Sequence, residues 1–147
     1  MTHSTDMLTE NDGGREAAGY KGKTGDCVVR AVAIAARLDY QTVYDDLFAV
    51  NKAKQLSGND RSPRHGVYTS SDAFKAYMRS LGFVWTPTMR IGSGCTVHLL
   101  AGELPTGRLV VSLSKHFCAV IDGVINDNSD PSRDGTRCVY GYWRLAQ

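Results

Sequence analysis

A chain of 147 residues, 42% hydrophobic and 22% charged, has the length and composition of one globular domain, and neither a disordered nor a fibrous class fits it. Its net charge of +2 singles out no acidic partner, and no apolar run reaches membrane-spanning length. The start, Met1 to Asp6, lacks the basic and apolar segments of a secretory signal, so the expectation is a cytosolic protein.

Residues 1–22 are polar, rich in Gly, Glu, Asp and Thr, and without apolar periodicity; they read as a flexible N-terminal tail. A single domain over residues 23–147 is expected to follow. Thr24 or Asp26 caps a helix from about Asp26 to Arg37, whose nearly continuous small apolar residues, from Val28 to Ala35, make it a buried central helix. Asp39 caps a second helix, about Tyr40 to Lys54, with Val43, Leu47 and Val50 at helical spacing. The stretch from Gln55 to Gly66 is polar and turn-rich. A third helix runs from about Ser71 to Leu81, capped by Thr69 or Ser70, stopped by Gly82, and striped by Phe74, Tyr77, Met78 and Leu81. Phe83 to Pro87 reads as an edge strand closed by proline, and Thr96 as the cap of a short helix through Leu100.

The last third changes from helical to alternating pattern. Arg108 to Ser112 and His116 to Ile121 are expected strands, Asp122-Gly123 is a two-residue hairpin turn, and Val124 to Asn128 returns. A further strand, about Cys138 to Leu145, carries Tyr140, Tyr142 and Trp143, aromatics expected to support the sheet rather than to bind a ligand. Helices first and an antiparallel sheet second give an α+β domain with the sheet packed on the first helix.

Four cysteines, Cys27, Cys95, Cys118 and Cys138, form no Cys-x-x-Cys pair, so no zinc ribbon or dithiol motif is expected and no metal or cofactor is called for. In a reducing cytosol they would be free thiols. Cys27 differs from the others by opening a helix, where unpaired N–H groups and the positive end of the macrodipole lower a thiol pKa. It is the candidate nucleophile. A thiol nucleophile needs a base in hydrogen-bond reach and a third group to orient that base. Of the four histidines, only His116 begins a core strand. With a two-residue turn at Asp122-Gly123, Ile121 pairs with Val124 and Val120 with Ile125, so strand alternation turns His116, Cys118, Val120 and Asp127 to one side. Asp127 becomes the orienting group; a one-residue bulge would substitute Asn126.

Gly25-Asp26-Cys27 opening a buried helix, His116-Phe117-Cys118-Ala119-Val120-Ile121-Asp122-Gly123 and Asn126-Asp127 together resemble a papain-like cysteine peptidase core. The closest likeness is to the small C39-like domains found in bacteria and bacteriophages. The resemblance implies Cys27 as nucleophile, His116 as base and then acid, and Asp127 as orienter. It also implies acyl transfer through a thioester on a protein or peptide substrate, a host protein among the options. Where that family usually carries a glutamine for the oxyanion hole, this chain has Lys21, with Lys23 close by; either would donate together with the Cys27 backbone N–H. The motifs are also similar to those of NlpC/P60 and CHAP cell-wall hydrolases. The competing classes are a papain-like module that binds a host macromolecule without turnover, and nucleic-acid binding through Lys52, Lys54, Arg61, Arg64 and His65.

Overall fold

The computed structural model describes residues 8–20, 25–53, 63, 66–90, 92, 94–100 and 102–146. Among them lie three helices and one mixed sheet of six strands, an α+β arrangement. In chain order these are β1 (Leu8–Glu10), α1 (Cys27–Ala36), α2 (Tyr40–Ala53), α3 (Asp72–Ser80), β2 (Phe83–Pro87), β3 (Arg108–Leu113), β4 (His116–Ile121), β5 (Val124–Asp127) and β6 (Gly141–Leu145). The strands lie side by side in the order β1-β5-β4-β3-β6-β2. No helix among the described residues is long and apolar enough to cross a membrane.

The central helix forms where its small apolar residues predict. Val28 to Ala35 are all buried, Arg30 included, and α1 packs against the middle of the sheet through Val110, Ala119 and Trp143. Its end is a left-handed Arg37, whose N–H and that of Leu38 reach back to Ile34 and Ala33. The carbonyls of Ile34 and Ala35 also accept from the Arg108 guanidinium at 2.8 Å each, so a cation sits at the negative end of the helix. α2 buries Val43, Leu47 and Val50 as its spacing predicts. The cap of α3 is Ser71, whose hydroxyl accepts from the Phe74 N–H at 3.1 Å, rather than Thr69 or Ser70.

β4 and β5 pair as Ile121 with Val124, Val120 with Ile125 and Ala119 with Asn126, the register set by a two-residue turn. Asp122 (φ 49°) and Gly123 (φ 82°) are both left-handed, as such a turn requires. β2 is an edge strand, antiparallel to β6.

Three further expectations are corrected. The first is the tail: Leu8–Glu10 form a strand parallel to β5, with Glu10 opposite Asp127, which makes the sheet mixed rather than antiparallel, and the segment to Tyr20 turns back onto α1. Gly13 (φ 71°) packs so closely there that a Cβ would lie 3.1 Å from the Arg30 carbonyl. The second is the short helix at Thr96. His98 instead bridges Cys138 as isolated β structure, and the Thr96 hydroxyl donates to Thr88 O at 2.7 Å. The third is the thiols: Cys95 and Cys138 form a disulfide, and Cys27 and Cys118 are the free cysteines.

Both corrections at the 90s segment have one cause. β3 and β4 are apolar on both faces, so the side away from α1 also needs cover. Leu99 and Val139 supply it, packing with Leu109, Val111, Cys118, Val120 and Ile125 in a second buried cluster. An irregular segment pinned by the bridge and the disulfide does this work without a helix.

Candidate functional site

Cys27 is the first residue of α1, and the residue before it explains how the helix begins. Asp26 occupies the cap position, yet its side chain makes no capping bond. It is buried and turned sideways, accepting from Arg30 Nε at 3.1 Å and from the Tyr40 hydroxyl at 2.5 Å, with Arg15 Nε at 2.9 Å. The first N–H groups of α1 therefore have no side-chain cap from Asp26, beside the thiol.

His116 enters from the sheet. The tight Ser114-Lys115 connection, with Lys115 at φ 57°, delivers it as the first residue of β4, opposite Leu113. Its Nε2 lies 2.7 Å from Asp127 Oδ2. With Nε2 committed to the carboxylate, Nδ1 is the ring nitrogen left to face the Cys27 thiol, which lies close enough for each group to stabilise the charge of the other. Asp127 ends β5. Its Oδ1 accepts from Arg30 Nη1 and from the Asn128 N–H, both at 2.8 Å. Asn126 points elsewhere, its amide donating to Val124 O at 3.1 Å.

The result is one continuous polar line: Arg15, Asp26, Arg30, Asp127, His116, Cys27. Asp26, Arg30 and Asp127 are 2%, 6% and 3% exposed, so three charges are buried at once, and each is tolerable only because its neighbours carry the opposite sign. Arg30 is the residue that sequence reasoning overlooked. Its signal was available, since Asp26 and Arg30 stand four apart at the start of a helix otherwise apolar on every side.

The electrostatics of the pair follow. Burial alone would raise the Cys27 thiol, but hydrogen bonding and charge from His116, the Phe117 N–H and the Arg30 guanidinium outweigh it and bring the thiol below its ordinary value. Burial would lower His116, but its bonds to Asp127 and Cys27, and their charges, push it up to about 9. Both shifts favour thiolate with imidazolium. Cys118 is the counterexample within the same chain: fully buried among Leu99, Val111 and Val120, its thiol is pushed far up by desolvation.

Of the sequence-predicted site residues, Cys27, His116 and Asp127 are brought together. Lys21 and Lys23 lie outside the described residues, as do Lys54, Arg61, Arg64 and His65 of the basic loop. His98 pairs with Glu103 at 3.1 Å on the surface, apart from this line. Among the described residues no group of His, Cys, Asp and Glu has the arrangement of a metal site. Chemically, the line can present a sulfur nucleophile, deliver a proton from imidazolium, and keep the imidazole in one tautomer. Neither a family model, nor a curated protein, nor a solved structure matches the chain.

Proposed function

We propose that the protein is a cysteine-dependent hydrolase of papain-like type, acting on an amide or peptide bond through a Cys27 thioester. The observation that carries this reading is the line of Cys27, His116 and Asp127, with the thiol lowered at a helix N-terminus while Cys118 is raised.

The Cys27 thiolate attacks the acyl carbon, and the carbonyl electron pair moves to oxygen. That oxyanion forms beside the N-terminus of α1, where the Cys27 N–H donates to it. As the intermediate collapses, the His116 imidazolium gives its proton to the leaving amine, and the C–N bond breaks to leave a thioester. Neutral His116 then takes a proton from water, the hydroxide adds to the thioester carbon, and collapse releases the acid and restores the thiolate with its imidazolium. Asp127 keeps His116 in the tautomer that faces sulfur throughout.

The test is alkylation of the intact protein by iodoacetamide near neutral pH, with the modified cysteine mapped by mass spectrometry. Cys27 is expected to react at least ~10-fold faster than Cys118. His116→Ala is expected to slow it sharply, and Asp127→Ala less so. A Cys27 that reacts no faster than Cys118 and ignores both substitutions would overturn the hydrolase reading and leave a module that binds without turnover.

A further inference from the structure

A groove of about 580 Å³ opens next to this site, between α3 with the residues before it and the paired strands β2 and β6. Its lining includes Phe117, the residue after the base, whose backbone N–H is one of the groups that lower the Cys27 thiol. Phe83 and Trp143 form the buried floor. The wall is Trp85, 39% exposed, tilted against Trp143 with ring centroids 5.3 Å apart. Gly141 makes this wall possible, since a Cβ there would overlap the Trp85 ring. A strand glycine covered by an aromatic from the neighbouring strand costs the sheet a side chain and gains a flat apolar wall.

The rim has one sign of charge. Lys75 and Arg79, one helical turn apart on α3, both line the groove and are both exposed. Among the described residues neither makes an ion pair with a carboxylate. An apolar slot with two cations at its edge, lined by the residue that follows the base, is complementary to a bulky apolar side chain with a carboxylate beside it.

We infer that this groove binds the substrate's acyl-donor chain and selects peptides that carry a large apolar residue next to an acidic one. The inference rests on the hydrolase reading of Cys27. The apolar side chain lies on Phe83 and Trp143 under Trp85, and the neighbouring carboxylate meets Lys75 and Arg79.

Peptidyl chloromethyl ketones test it without requiring turnover. Cys27 sulfur attacks the methylene carbon, the C–Cl bond breaks, chloride leaves with the electron pair, and a stable thioether marks the cysteine. The set varies one position between Phe and Ala and its neighbour between Glu and Lys. The Phe/Glu probe is expected to label Cys27 roughly tenfold faster than the Ala/Glu probe and roughly tenfold faster than the Phe/Lys probe. Trp85→Ala should collapse the first preference. The doubly reversed Lys75→Glu, Arg79→Glu protein, altered only at exposed helix positions, should invert the second. Iodoacetamide labelling of the wild-type protein separates the two ways of failing. Fast iodoacetamide labelling of Cys27 with equal rates for all four probes overturns the groove and leaves the hydrolase standing. Slow labelling of Cys27 by iodoacetamide and by every probe overturns both.

Discussion

At the scale of single residues, the site is decided by who holds Asp127. The carboxylate has one oxygen on His116 and the other on Arg30, and Arg30 is itself held by Asp26. Arg30→Met would leave two buried carboxylates without their shared cation, a loss on the order of 3–5 kcal/mol. Thermal melting measures that. Arg30→Lys keeps the charge but lacks the fork that spans two carboxylates, so stability is expected to recover in part while Cys27 alkylation is slower than in the wild type. A purely structural arginine would recover both together. The imidazolium supplies the second residue-scale prediction. On the proposed hydrolase reading, with His116 pushed up to about 9, the alkaline limb of kcat/KM on a peptide substrate is expected near that pH, since the leaving amine then loses its proton donor. Asp127→Asn should move the limb toward neutral, because the hydrogen-bonded carboxylate is one of the groups holding it up.

At the scale of elements, what was legible depended on how local the cause was. The Asp122-Gly123 turn carries its own conformational requirement, so the hairpin, its register and the choice of Asp127 over Asn126 could all be read from a few consecutive residues. α1 could be read for the same reason, since eight consecutive buried residues leave no other arrangement. β1 could not. Its three residues, Leu-Thr-Glu, have too little pattern to mark a strand, and its partner β5 lies more than a hundred residues away. The glycines that follow looked like flexibility, whereas Gly13 is a close contact. Gly13→Ala combines left-handed strain with a Cβ against the Arg30 carbonyl, while Gly19→Ala at φ 94° meets strain alone, with nothing within 4 Å. Strain at either position costs about 1–2 kcal/mol, and Gly13→Ala is expected to melt lower than Gly19→Ala. The Cys95–Cys138 disulfide was hidden for a related reason, because composition speaks to compartment and not to which sulfurs meet. Trp143 shows the opposite case. It is 5% exposed and edge-on to Phe74 at 6.2 Å, so Trp143→Ala should cost roughly 3–5 kcal/mol by denaturant unfolding.

For the molecule as a whole, the thiolate and imidazolium make a distinctive statement about stability and pH. Taken singly, His116, raised from 6.5 to about 9, stabilises the fold fully below 6.5, and that contribution is lost as pH rises through about 9. Cys27, lowered from 9.0, stabilises the fold above 9.0, and its contribution is lost as pH falls through its folded value. Where the two ranges overlap, below about 9, the slopes oppose each other: the unfolded chain keeps its proton on sulfur and the folded chain keeps it on imidazole, so folding moves a proton rather than taking one up. Cys27→Ala removes one side of this balance. Its unfolding free energy, measured in denaturant at pH 6, 7.5 and 9, is expected to decline as pH rises above 6.5 relative to the wild type, because only the raised His116 remains. Parallel curves for the two proteins across that range would mean that sulfur and imidazole do not share a proton in the folded chain.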